Sequence, residues 1–137
     1  MRECIFCKIV QGELPAIKVY EDENVLAFMD INPLNDGHTL IIPKRHVETI
    51  FEITPEELSA VIKIAQKVAH AIKKGLSPDG LVVIQLNQKA AGQVVPHLHV
   101  HLIPRWENDG LPIARWEPIP GDMNKIKNIA ERIKKEL

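Results

Sequence analysis

The chain has 137 residues, 45% of them apolar and 26% charged, with a formal net charge of −1. That length suits one domain with its own core, and the charge balance leaves no footprint for a nucleic acid or an acidic membrane surface. No apolar run approaches the ~20 residues that span a bilayer. Met1-Arg2-Glu3-Cys4 also lacks the apolar core of a signal peptide. The chain therefore reads as cytoplasmic, with no nucleic-acid or membrane partner.

In chain order, residues 4–11 can form a short helix that stops at Gly12, and they carry the only cysteines, Cys4 and Cys7, as one C-x-x-C. In a reducing compartment such a pair points to a metal or a redox couple rather than a structural disulfide. Strand-like runs over 17–21 and 25–30 flank the polar turn Asp22-Glu23-Asn24. A loop over 32–37, dense in turn formers, leads into a strand over 38–42. Thr54-Pro55-Glu56-Glu57 predicts a helix start: a threonine cap, proline at the first position and a glutamate completing a capping box. Leu58, Val61, Ile62, Ala65, Val68, Ala69 and Ile72 recur behind it at helical spacing, and Gly75 supplies the stop. Residues 80–87 read as a buried strand. An irregular Trp/Pro segment covers 105–121, and a last helix begins at Asp122 with Met123, Ile126, Ile129, Ala130, Ile133 and Leu137 on one face. Strands in hairpins with two substantial helices predict an α+β fold with a mostly antiparallel sheet, in one domain over 1–137.

The densest chemistry lies over 96–104. His97, His99 and His101 alternate with Leu98, Val100 and Leu102, so a strand there would present three imidazoles on one surface face and bury the other. Imidazole titrates near neutrality and serves as metal ligand, nucleophile or proton carrier. Ala91-Gly92-Gln93 enters the run through a glycine, where backbone N–H groups can approach an anion. That favours a phosphorus electrophile. A single metal held by all three histidines is disfavoured, because residues i and i+4 of a strand lie roughly 13 Å apart.

His97-x-His99-x-His101 and the apolar residues after it resemble the signature of the histidine triad (HIT) family of nucleotide hydrolases and transferases. Cys4-Ile5-Phe6-Cys7-Lys8-Ile9, Asp30-Ile31, the run from Gly37 to Lys44, and Ala91-Gly92-Gln93 look like family segments in the right order. The likeness covers residues 4 to about 104 and is nearest the small prokaryotic and Hint-type branch. It implies a five-stranded sheet extended across a homodimer, and a purine nucleotide substrate such as an AMP derivative. It also implies attack on the α-phosphorus, a nucleotidyl-histidine intermediate, and no organic cofactor.

By that resemblance His99 is the nucleophile, His101 donates a hydrogen bond to the phosphate or leaving group, and His97 opens the triad. His38 matches a further histidine near the α-phosphate, and Asp30 the carboxylate that accepts from ribose hydroxyls. Ile5, Phe6, Ile9, Phe28 and Ile31 match base-pocket positions; Asn87, Gly92 and Gln93 match the loop at the phosphates and leaving group. Plain core packing, or a turn role for His38 and Asp30, would account for the same residues. Val94 stands where the family often has serine or threonine. In the prokaryotic relatives a C-x-x-C ligates zinc with two histidines, here Cys4, Cys7, His46 and His97, which would make a closed structural site. A dinucleoside polyphosphate hydrolase, a metal-dependent enzyme and a nucleotide-binding regulatory module remain open alternatives.

Overall fold

Alternation along two central strands decides the architecture. The computed structural model describes residues 3–112 and 118–137. Their elements run α1 (Ile5–Val10), β1 (Lys18–Glu21), β2 (Val25–Met29), β3 (Thr39–Pro43), α2 (Pro55–Leu76), β4 (Gly80–Gln85), β5 (Val100–Arg105) and α3 (Met123–Lys134). The five strands form one antiparallel sheet in the order β1-β2-β3-β5-β4. Val25, Ala27, Ile41, Val100 and Leu102 face one way and pack under Val61, Ala65, Val68 and Ile72 of α2. Leu26, Phe28, Leu40 and Ile42 face the other way, against Cys4, Phe6, Cys7 and Ile9 of the N-terminal segment. Helix therefore covers β2 and β3 on both faces, and the predicted α+β class holds.

α2 starts as its sequence predicts, with the Thr54 and Glu57 side chains each accepting from the other's backbone N–H. It does not stop at Gly75. The helix runs on to Leu76, and Ser77 in the left-handed region (φ 50°) is the cap, its N–H donating to the Lys73 carbonyl. Pro78 then bars continuation. The predicted buried strand over 80–87 is a shorter edge strand, and Val83 is 56% exposed. Among the described residues β4 pairs with β5 alone.

The histidine run also departs from expectation. β5 begins at Val100, so His101 lies in the strand while His97 and His99 precede it. Neither is on an exposed face: both are buried, His97 completely. Leu98 N–H donates to the Val47 carbonyl at 2.7 Å, pulling this stretch off the sheet ladder and under the N-terminal segment.

Candidate functional site

Two side-chain clusters meet at the start of β5. In the first, Cys4 caps the N-terminus of α1 and Cys7 sits one turn on. His46 follows β3, and His97 lies beneath both. Cys4 Sγ is 3.4 Å from His97 Nδ1, and Cys7 Sγ is 3.6 Å from His97 Nδ1 and 3.2 Å from His46 Nδ1. All four ligand atoms lie within 4.8 Å of one another. A tetrahedral zinc with Zn–S of about 2.3 Å and Zn–N of about 2.0–2.1 Å separates its sulfur and nitrogen ligands by roughly 3.6 Å. The four residues fit such an ion. The proton on His97 is assigned by its other nitrogen: Nε2 donates to the Pro43 carbonyl at 2.8 Å, so the Nδ1 lone pair faces the sulfurs. Burial pushes the His97 pKa down to about 4, which keeps the ring neutral. His46 turns its far nitrogen toward the Glu48 carboxylate at 3.9 Å, the side from which a carboxylate supports a metal-bound imidazole.

The second cluster is a chain of imidazoles on the α1 face of the sheet. His99 Nδ1 donates to the His97 carbonyl at 2.6 Å, which leaves a lone pair on His99 Nε2. Phe6 packs edge-on against this ring at 5.1 Å, and burial lowers its pKa. His101 lies 4.8 Å from His99 between ring centres. His38 Nε2 and His101 Nδ1 are 2.9 Å apart, and Leu34 N–H donates to His38 Nδ1 at 3.0 Å. An amide N–H can only donate, so His38 Nδ1 is an acceptor and the ring proton sits on Nε2. That proton goes to His101 Nδ1, which leaves His101 with its own proton on Nε2. Burial lowers the His38 pKa and pushes that of His101 down to about 4, with the His99 and His38 rings adding to the shift at His101. Asp30 completes the group, Oδ2 lying 3.5 Å from His38 Nε2 and Oδ1 accepting from Asn32 N–H. Asp30, His38 and His101 are close enough for a metal, yet His38 has no lone pair to offer one in this arrangement. They form a hydrogen-bond relay.

Of the apolar positions, Phe6, Ile9 and Phe28 are buried core, Phe6 against the His97 and His99 rings, whereas Ile5 is half exposed and Ile31 is 80% exposed. Gly92 (φ 94°) turns the loop after β4 in a conformation that suits glycine. Asn87 and Gln93 have their amides engaged within the protein: Asn87 accepts from Ile50 N–H, and Gln93 bridges Gln88 N–H and the Glu48 carbonyl. Val94 is 90% exposed in a groove of about 810 Å³ that Phe51, Pro96 and the 88–93 loop also line. Sequence reasoning missed Pro43 and Leu34, which act through backbone atoms, and Glu48, whose two-residue spacing from His46 was a readable signal.

Comparison with known proteins identifies the fold's lineage. The HIT domain model matches residues 11–108. The chain belongs to the HIT family. It is 53% identical over 123 residues to an uncharacterised HIT-like protein of Methanocaldococcus jannaschii, covering 90% of this chain and 95% of that one. It is 37% identical to the adenosine 5′-monophosphoramidase HNT1 of Candida albicans (98% and 91% covered). With the adenylylsulfatase HINT3 of Arabidopsis thaliana it shares 44% identity, over 80% of this chain and 55% of the relative. Among solved structures, a HIT family member from Bacillus subtilis superposes with a TM-score of 0.91 at 42% identity, covering 99% and 98% of the two chains. A zinc-bound HIT family protein from Mycobacterium smegmatis gives a TM-score of 0.77 at 36% identity and 98% coverage of each. No helix among the described residues is long and apolar enough to cross a membrane.

Proposed function

We propose that the protein is a nucleotide hydrolase acting on AMP derivatives, with His99 as nucleophile. The observation that carries this reading is the His99 tautomer: a proton held on Nδ1 by the His97 carbonyl leaves the Nε2 lone pair to attack. Nε2 forms a bond to the α-phosphorus, and the bond from phosphorus to the leaving group breaks. The leaving group departs with the electron pair and takes up a proton, and water then cleaves the adenylyl-histidine to release AMP and restore the ring. His101, neutral with its proton on Nε2, donates to a phosphoryl oxygen or the leaving group. His97 contributes to catalysis through its carbonyl, while its ring serves the metal. Asp30 and His38 border the ribose and α-phosphate, with Gly92, Gln93 and Asn87 shaping the loop at the leaving group. Phe6, Ile9 and Phe28, together with the more exposed Ile5 and Ile31, take the purine base. The names of the phosphoramidase and adenylylsulfatase relatives support this substrate class.

Zinc in the Cys4, Cys7, His46 and His97 cluster is structural in this reading, tying the N-terminal segment to the stretch that carries His99. When bound it supplies a closed, four-ligand cross-link rather than a Lewis acid. The protein works in the cytoplasm as a homodimer whose sheets join through β4, an edge strand free of lysine and proline with Val83 exposed. Residues 1–137 act as one domain. The decisive experiment is a rapid quench into alkaline denaturant, in which a phosphorus–nitrogen bond to histidine survives, of the enzyme mixed with an adenosine phosphoramidate labelled at phosphorus. Label on His99 supports the reading, and turnover without any protein-bound label overturns it.

A further inference from the structure

The relay that orients His101 ends on a backbone amide, and the loop bearing that amide is itself clamped. Residues 34–38 form a tight turn in which His38 N–H donates to the Asn35 carbonyl at 3.2 Å and Gly37 adopts φ 84°. A Cβ on Gly37 would come within 2.9 Å of the Pro104 ring and closer still to Leu76, so the turn is pressed against the end of β5. Asn35 Nδ2 fastens it there, donating to the Pro104 carbonyl at 3.0 Å and to Asp109 Oδ2 at 3.2 Å. Asp109 is in turn held by both arms of Arg105, at 2.7 and 2.8 Å, and accepts from the N–H groups of Trp106 and Leu111. The Arg105 guanidinium holds the Asp109 carboxyl well below the usual carboxylate range. Asp109 therefore stays an acceptor, and a rigid one.

We propose that Asn35 and Asp109 are positioning residues that set the proton arrangement of the catalytic histidines. They pin the turn so that Leu34 N–H stays on His38 Nδ1, which directs the His38 proton to His101 and obliges His101 to present its own Nε2–H to the substrate. Without the pin, His38 can take its proton on Nδ1 and turn Nε2 into an acceptor. His101 would then place its proton on Nδ1 and face the phosphate with a lone pair, the wrong polarity for stabilising developing negative charge. The Asn35 side chain and Asp109 bond to Pro104, Arg105 and each other rather than to a histidine ring, so their effect passes through the turn. The inference rests on the reading of His99 and His101 given above.

Nitrogen-15 NMR of the imidazoles in the zinc-loaded protein tests it directly. The wild type should show His38 and His101 unprotonated at Nδ1 and protonated at Nε2. Asn35→Ala should convert part of the His38 and His101 signal to the Nδ1–H form. It should also lower kcat toward an adenosine phosphoramidate by on the order of 10–100-fold, the usual cost of losing a supporting contact behind a reactive group, with KM little changed. Asp109→Asn, which keeps the shape but weakens the acceptor, should shift both readouts in the same direction and less. A proton on His38 Nδ1 in the wild type overturns the proposal, and that spectrum decides the point even if Asn35→Ala fails to fold. A fall in kcat with unchanged tautomers overturns it equally, since the clamp would then be structural only. Tautomers as assigned in a protein that turns over no nucleotide would instead sink the functional reading and leave the relay standing.

Discussion

α2 and α3 are both amphipathic, both capped by a side-chain oxygen at the N-terminus, and both carry apolar residues at helical spacing. α2 lays Val61, Ala65, Val68 and Ile72 on the sheet and buries them. α3 buries nothing: Met123, Ile126, Ile129 and Ile133 are each 40% exposed or more, and Leu137 wholly so. Periodicity states that a helix needs cover but not what supplies it. α2 is also coupled to the site, since it backs β3 and β5, of which β5 carries His101 and the ends flank His38, His46, His97 and His99. Among the described residues α3 lays no buried side chain on these strands, so chemistry should depend on residues behind α2 and be indifferent to single changes on α3.

The sharpest contrast is in turnover. His99→Ala should lower hydrolysis of an adenosine phosphoramidate by on the order of 10⁴-fold while AMP still binds, because the covalent step is lost and the pocket remains. Ile129→Ala should leave the rate within about twofold, as surface changes away from a site do. A rate that collapses with Ile129→Ala would show that α3 reaches an active site, and the contrast between the helices would break.

Removing the metal comes next. Cys4→Ser with Cys7→Ser should abolish bound zinc, measured by elemental analysis. It should also lower Tm by roughly 10 °C or more, since a lost metal cross-link costs several kcal/mol and each is worth a few degrees in a chain this size. Catalysis should weaken yet remain measurable, because attack by His99 needs no metal. Zinc retained after both replacements would rule the cluster out. Core deletion follows: Ile72→Ala in α2, 8% exposed, should cost about 2–4 kcal/mol in urea unfolding, against less than about 0.5 kcal/mol for Ile129→Ala. Equal costs would mean that a second copy covers α3 in solution.

The sequence made much of this legible, and its failures share a cause. Strand alternation, the Thr54 capping box and the Cys4-x-x-Cys7 pair were readable, because each depends on side-chain identity at a spacing, whereas His46 and His97 joined the cysteines only through the family resemblance. The proton positions were not readable. They are set by the Pro43 and His97 carbonyls and the Leu34 N–H; every residue has a carbonyl and every residue but proline an N–H, so no residue type announces them. The burial of His97 was missed because alternation assumed a strand where the backbone instead bonds to Val47. β4 was misjudged because composition reveals an apolar surface, while exposure depends on whether a neighbour happens to lie over it; α3 is a helix from Asp122 as its sequence predicts, and its apolar face lies uncovered for the same reason.

The smallest effect is a pH dependence at the start of α2. The Arg45 guanidinium grips the Glu57 carboxylate through two bonds of 2.6 Å, and the Thr54 cap adds two more, which together lower the Glu57 pKa to about 2. The unfolded chain has no such partners, so between about pH 4.5 and pH 2 it binds the proton more readily than the folded protein. The contribution of Glu57 is accordingly present above that window and is lost as the pH falls through it. Its side chain is a quarter exposed and Arg45 more than half, and water screens the pair, so the loss should not exceed about 1 kcal/mol. Glu57→Gln should remove this part of the acid sensitivity. The stability gap between wild type and variant, read from urea midpoints, should therefore be open at pH 6 and narrowed at pH 3. A gap of the same size at both values would mean that Glu57 serves α2 through hydrogen bonding alone, its charge contributing nothing.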